Sequence, residues 1–227
     1  MILGIDSSAI TAGCALCDGG KLVAEQFLNT KHTHSQTLLP MVESMMKSAD
    51  ITLSDVDVIA VTAGPGSFTG LRIGIASVKG MAMGAGKMCI PVSTLEAIAY
   101  NFVGIDGIIC CAMDARCGQM YNALFKSEGG VVTRLCEDRA VKSADLYEEL
   151  KAIDGRVILA GDGAELLDNV TEHSFELAPL ALRYQRGLGV CLAAENKQPI
   201  EAAALMPSYL RLPQAERERL EREKNNG

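Results

Sequence analysis

The sequence predicts an α/β chain built as two similar lobes. Three observations carry this. The first half reads as three consecutive strands followed by alternating helices and strands, βββαβαβα. A strand, a glycine-rich turn and a helix follow one another over residues 56–84. A strand, terminal Asp, short loop, Gly and strand occur twice, as Leu3-Gly-Ile-Asp6…Gly13-Cys-Ala-Leu and as Cys111-Ala-Met-Asp114…Gly118-Gln-Met-Tyr, a weak internal repeat. With 227 residues, 48 % apolar and 22 % charged, the chain can bury a core of that size.

Residues 2–5 are an apolar, β-branched run and read as a strand ending in Asp6-Ser7-Ser8. Residues 14–17 return as a second strand, Asp18-Gly19-Gly20 is a hairpin turn, and residues 22–28 form a third strand. Residues 34–49 predict a helix on which Leu38, Val42, Met45 and Ala49 share a face, flanked by Met41, Leu39 and Met46. That apolar arc is wider than the roughly 100° stripe of a surface helix. It implies either a deeply seated helix or a face shared with a partner, and methionine suits adaptable surfaces. Residues 56–62 are the next strand, and residues 87–92 another. Ser93-Thr94-Leu95-Glu96 is a capping box that opens a helix to about residue 101. The second half restarts with strands at 108–113 and 119–125. Short strands follow at 131–133 and 137–141, a helix at 143–153, a strand at 156–160 turning at Gly161-Asp162-Gly163, and one long helix at 178–195. Residues 213–227 are rich in Glu and Arg without an apolar stripe and read as a solvated helix or a disordered tail.

The helix after Gly64-Pro65-Gly66 is unusual. Ser67 or Thr69 can cap it, but Gly70, Gly74, Gly80 and Gly84 lie within it, each costing roughly 1 kcal/mol relative to alanine. Gly70, Gly74, Ser77, Met81 and Gly84 fall on one face; Leu71, Ile75, Val78 and Ala82 form a core stripe on another. A face of nearly bare backbone calls for close packing, on the chain's own sheet or on a partner. The preceding loop is neither the dinucleotide fingerprint nor a P-loop, since no Lys-Ser/Thr follows the glycine. A tight strand-to-helix turn is the plainer reading.

The chain carries a net charge of −7 and no Trp, so it lacks the cationic surface and stacking platforms of an autonomous nucleic-acid binder. No run approaches a membrane span. Met1 to Ile5 has no basic start and the eight cysteines sit mostly in apolar segments, which points to a cytoplasmic protein with reduced thiols. Cys14 and Cys17 are three apart on a strand and so face opposite ways. His32 and His34 could chelate a metal but lie in a polar stretch with no third ligand near. Asp6 and Asp114, at matching strand ends, could flank a nucleotide phosphate and its magnesium; alternatively each caps its own turn. No catalytic constellation emerges, no cofactor is expected, and the pattern suits a scaffold or partner subunit.

Ile5-Asp6-Ser7-Ser8, the segment from Gly64 to Gly74, Ile90-Pro-Val-Ser-Thr-Leu-Glu96 and Asp114-Ala-Arg116 with Tyr121 closely resemble the bacterial TsaB (YeaZ) family. The resemblance is strong over residues 1–126 and looser to Arg211. It implies the actin/hexokinase/Hsp70-like fold, two lobes each built on a mixed sheet with a βββαβα core. The lobes would span residues 1–103 and 104–212, with 213–227 a charged tail. It further implies a non-catalytic partner of TsaD, which transfers threonylcarbamoyl to the adenosine beside the anticodon of tRNAs reading codons that begin with A. TsaE would join them, tRNA would be met through the complex, and a homodimer would form without TsaD. The paralogue's metal-binding His-x-x-x-His corresponds here to Thr94 and Ile98, so no metal is expected. The family's dimer surface uses the first two helices, which here nominates Leu38, Met41, Met45, Gly70, Gly74 and Ser77. The alternative is a stand-alone ATP-binding enzyme of the same fold, resting on Asp6 and Asp114.

Overall fold

A computed structural model describes residues 1–30 and 32–211; the expected tail, 213–227, lies outside them. Strands β1 (Ile2–Asp6), β2 (Ala12–Asp18), β3 (Lys21–Leu28), β4 (Val58–Gly64) and β5 (Met88–Ser93) form one sheet in the order β3-β2-β1-β4-β5. The first three are an antiparallel meander, and β4 and β5 run parallel to β1. Helices α1 (His34–Ser48) and α2 (Phe68–Ala85) cover one face, where Leu3, Ile5, Cys14, Leu16, Ile59 and Val61 meet them. The other face, with Ala15, Cys17 and Ala60, packs on α3 (Thr94–Ala99) and α7 (Gly187–Ala194). Both faces are covered, so β1 and β4 are buried almost throughout. Cys14 and Cys17 do point opposite ways: Cys14 Sγ lies 3.6 Å from Met45 Sδ, while Cys17 clusters with Cys191.

The second sheet holds β6 (Gly107–Arg116), β7 (Gln119–Glu128), β8 (Val131–Arg134), β10 (Val157–Ala160) and β11 (Glu176–Leu177), in the order β11-β10-β6-β7-β8, with β9 (Arg139–Lys142) paired to β7. Again three antiparallel strands are followed by two parallel ones. The internal repeat therefore extends to topology, as the two-lobed α/β class requires. Helices α4 (Ser143–Lys151) and α5 (Ala164–Val170) cover the outer face. The inner face rests on α3, which is shared between lobes: Ala97 faces the first sheet, and Leu95, Ile98 and Ala99 face the second. Among the described residues no helix is long and apolar enough to cross a membrane.

Three expectations need correction. The long helix over 178–195 is two helices, α6 (Leu180–Arg183) and α7, with extended backbone between. Here the chain crosses between lobes. Arg183 O accepts from Gly161 N–H at 2.7 Å in the second lobe, while Arg186 Nε donates to Glu25 in the first at 3.2 Å. A single rigid helix could not serve both. Because α7 lies on the first sheet, the expected second lobe of residues 104–212 runs too far. Helix α5 and strand β11 were not anticipated.

The nominated partner face is also largely internal. Leu38, Met41 and Met45 are 1, 4 and 1 % exposed and belong to the first lobe's core, so the wide arc of α1 marks a deeply seated helix. Gly70 and Gly74 face Ser7 of the same chain: a Cβ on Gly70 would fall inside contact distance of Ser7 O, and one on Gly74 inside that of Ser7 Oγ. Ser7 Oγ donates to Gly70 O at 3.0 Å. Ser77 is half-buried. What stays open on α2 lies further along, at Ala76, Gly80, Met83 and Gly84, and nothing lies within 4 Å of a Cβ built on Gly80 or Gly84.

The two glycine classes should separate on substitution. Gly70→Ala should destabilise by about 1–3 kcal/mol through overpacking against backbone, whereas Gly80→Ala should stabilise by about 0.5–1 kcal/mol through helix propensity. Urea denaturation of the two variants checks this.

Candidate functional site

The lobes face each other across a cleft of about 570 Å³, lined among others by Ser8, Thr69, Asp114, Tyr121, Asp162 and Tyr209. The β1–β2 loop forms one lip. It is held by the turn into α2, where Ser67 N–H donates to Ser8 O at 2.7 Å. Ser67 then caps the helix, accepting from Gly70 N–H at 3.3 Å. His34 reaches the same loop; its Nε2 lies 2.7 Å from Ala9 O, and a carbonyl there requires the Nε2–H tautomer. That contact gives His34 a structural use, and His32 is exposed beside it.

Asp6 ends β1 at 0 % exposure. Its Oδ1 accepts from Ser8 Oγ at 2.6 Å and Thr62 Oγ1 at 2.7 Å, and its Oδ2 has no partner. Burial pushes its carboxyl above the usual range, and the two hydroxyls pull it partly back. Asp114 is half-buried and ties its own turn: Oδ1 accepts from Arg116 N–H at 2.8 Å and Oδ2 pairs with the Arg116 guanidinium at 3.2 Å. Asp114 thus lines the cleft while Asp6 lies buried behind it, and each serves its own turn.

A third carboxyl joins them. Asp162, in the turn after β10, accepts from Gln185 Nε2 at 3.2 Å. Burial pushes it up to about 6, with Asp114 and Asp6 adding like-charge repulsion. Sequence reasoning read Gly161-Asp162-Gly163 only as a turn. The available signal was its place at a strand end, the same position that drew attention to Asp6 and Asp114. Gln185, fully buried with Oε1 unpartnered, carried no such signal, because it lies inside what read as a continuous helix. The second-lobe lip, Arg116-Cys117-Gly118, turns through three positive φ values of 66°, 55° and 68°. Among the described residues no group of three His, Cys, Asp or Glu is placed to hold a metal ion.

Thr94 and Ile98 lie on one face of α3, both at 0 % exposure. Thr94 Oγ1 has no partner, and Ile98 packs among Leu95, Phe102 and Ile109. The capping box before them is half-formed. Ser93 Oγ accepts from Glu96 N–H at 3.2 Å, but the Glu96 carboxylate turns away to Lys197 at 2.9 Å and Arg134 at 3.7 Å.

The family model for TsaD, tRNA N6-adenosine threonylcarbamoyltransferase, matches residues 21–217. The tRNA threonylcarbamoyladenosine biosynthesis protein TsaB of Bacillus subtilis is 33 % identical over 227 residues, covering 98 % of this chain and 99 % of that protein. The chain belongs to the TsaB branch of this family. TsaB of Escherichia coli is 31 % identical over 202 residues, covering 88 % of this chain and 84 % of that one. The solved structure of YeaZ from Pseudomonas aeruginosa superposes with a TM-score of 0.76 at 25 % identity, covering 92 % of this chain and 99 % of that one. The two lobes thus belong to an architecture shared with that solved structure over nearly the whole chain.

The raised carboxyl of Asp162 has a consequence for stability. A carboxyl whose folded pKa lies above its unfolded one favours folding below the unfolded value and loses that contribution as pH rises through about 6. Asp162→Asn should therefore be more stable than wild type at pH 8, by up to about 3 kcal/mol. The difference should disappear below about pH 4. Thermal denaturation of both proteins across that range checks the sign.

Proposed function

We propose that the chain is a non-catalytic subunit for threonylcarbamoyl transfer to tRNA, working beside a TsaD-type relative. The observation that carries this is the pair Thr94 and Ile98, buried in the joint between lobes of a chain that matches a tRNA threonylcarbamoyladenosine biosynthesis protein end to end. Where the catalytic paralogue's metal-binding histidines belong, isoleucine has no donor atom and a lone threonine hydroxyl is a poor ligand. TsaD is the direct partner in this reading and TsaE joins the pair. A homodimer forms when TsaD is absent, tRNA is met through the complex, and the assembly is cytoplasmic. A net charge of −7 suits a chain that leaves phosphate contacts to others.

The partner surface lies on the outward side of α1 and α2 rather than on the buried residues first nominated. Leu39 and Met83 are 47 and 61 % exposed, and bare Gly80 and Gly84 let another backbone approach closely. Beside them is a groove of about 560 Å³ lined by Leu39, Glu43, Met46, Lys47, Ile51 and Met81. Its apolar floor and charged rim suit a helix laid across it. The alternative, a stand-alone ATP-binding enzyme, draws on Asp114 lining the cleft and Asp6 ending β1 behind it, and it requires tight binding of Mg-ATP by the isolated chain. The present reading expects no heat in that titration.

Reconstitution of tRNA modification with TsaD and TsaE, with and without this chain, decides between the readings. Product should form only when the chain is added. Leu39→Glu with Met83→Glu should lower the rate at least about tenfold while shifting unfolding by no more than about 0.5 kcal/mol, as expected of surface sites. Modification by the chain alone, or full activity of the double variant, would refute the subunit role or its surface respectively.

A further inference from the structure

After α7 the chain runs back over the first lobe. Ile200 pairs with Cys89 of β5 through two hydrogen bonds of 2.7 and 2.8 Å, and Leu205 is fully buried. It then enters the cleft region and contacts both lobes within four residues. Ser208 N–H donates to Ala63 O at the end of β4, 2.7 Å away. The Tyr209 ring stacks on Phe68 with centroids 4.6 Å apart and planes at 27°. Arg72 joins that stack, its guanidinium carbon 3.8 Å from the Phe68 centroid and its Nε donating to Tyr209 Oη at 3.1 Å. All of these anchors belong to the first lobe. Two residues on, Arg211 Nη1 donates to Ala115 O and to Arg116 O, the latter at 3.3 Å, in the second-lobe lip.

At α3 a second tie joins the lobes. Ser93 Oγ donates to Asp138 Oδ2 at 2.5 Å, Arg134 pairs with Asp138 at 2.6 Å, and Glu96 links Arg134 to Lys197. Ser93 and Glu96 come from the first-lobe side of the joint, and Arg134 and Asp138 from the second sheet's edge. Rotation of one lobe against the other about the crossovers near 103–107 and 184–186 would have to break one set or the other.

From this we infer that residues 208–211 are an intramolecular strap that holds the two lobes in one setting, so that the cleft keeps its width with no ligand bridging it. The inference does not depend on the role in tRNA modification. It assigns to Tyr209 and Arg211 the joining of lobes that a molecule bound between them would otherwise supply. The stack anchors the strap through aromatic contact, a guanidinium over the Phe68 face and a charge-assisted bond to Tyr209. The arginine makes the crossing through one nitrogen, Nη1, shared by two carbonyls; a lysine ammonium offers donors too but is more strongly hydrated, so it reproduces the contact only in part.

Hydrogen exchange of the full-length chain, read peptide by peptide, tests this with Tyr209→Ala, Arg211→Ala and Arg211→Lys. Tyr209 is 38 % exposed and Arg211 lies at the surface of the lip, so each variant keeps its core. Both alanine variants should speed exchange about tenfold in residues 8–11 and 115–118. Exchange in β4 and β10 should stay unchanged, and Arg211→Lys should fall between wild type and Arg211→Ala. Small-angle scattering should show a larger radius of gyration for the alanine variants. Unchanged exchange at both lips would overturn the strap. So would loss of protection spread evenly over β4 and β10, which would make the segment an ordinary part of the first lobe's core.

Discussion

The close approach of α2 to the β1–β2 loop is the contact on which the rest of the molecule depends. Gly66, Gly70 and Gly74 each leave room that the backbone or hydroxyl of Ser7 and Ser8 fills. Any side chain there would push the helix away from the sheet. With the helix in place, Ser67 N–H reaches Ser8 O and Ser7 Oγ reaches Gly70 O. Ser8 O and Ser7 Oγ thereby find partners on α2 and the turn before it, and Asp6 lies buried beneath them. The lip of the cleft and the burial of its first carboxyl follow from one packing choice. The low helix propensity of glycine, roughly 1 kcal/mol per residue, is offset by these contacts at Gly70 and Gly74.

This sealing leaves Asp6 behind the cleft, whose lining keeps two carboxyls, Asp114 and Asp162. A phosphate-bound magnesium would need ionised, free carboxylates. Asp6 Oδ1 already accepts from Ser8 and Thr62 in full burial, which disfavours its charge. Asp162 is pushed toward neutrality by burial, and Asp114 is paired with Arg116 in its own turn. Each carboxyl is engaged with its own lobe. The interlobe contacts run instead through Arg211 and through the Ser93–Asp138 and Arg134–Glu96 pairs.

Local pattern made most of the fold legible. The meander of β1 to β3 is legible from short apolar runs and a Gly-Gly turn, and the start of α3 from its capping box. The two lobes came from an Asp-ended strand repeated a hundred residues later. The sequence stayed silent wherever long-range partners decide. Residues 178–195 read as one helix because apolar runs flank the polar stretch Arg183-Tyr-Gln-Arg186 on both sides, and the opposing demands of Gly161 and Glu25 divide it there. Asp162 was visible as a turn but not as a member of the cleft, since its depth is set by Gln185, across that same break. Aspartates 6 and 114 were found because they end matching strands, and their own turn contacts could be foreseen from side-chain chemistry alone.

Helix α2 shows why a face of small residues is ambiguous in sequence. Gly70, Gly74 and Gly84 share a face by spacing, with Gly80 to one side of it, yet the structure divides the four at Ser77. Before it, the missing Cβ atoms admit the chain's own Ser7; beyond it, they admit nothing in the monomer. The first pair is explained by folding. The second pair is not, because a solvent-facing helix gains stability when Gly becomes Ala, and no contact within the chain compensates. The local deficit at Gly80 and Gly84, together with Met83 held 61 % exposed beside them, is the part of this helix that folding leaves unaccounted for. The glycines that first suggested a partner sit inside the monomer, and the physical case for a partner moves to their neighbours two turns along.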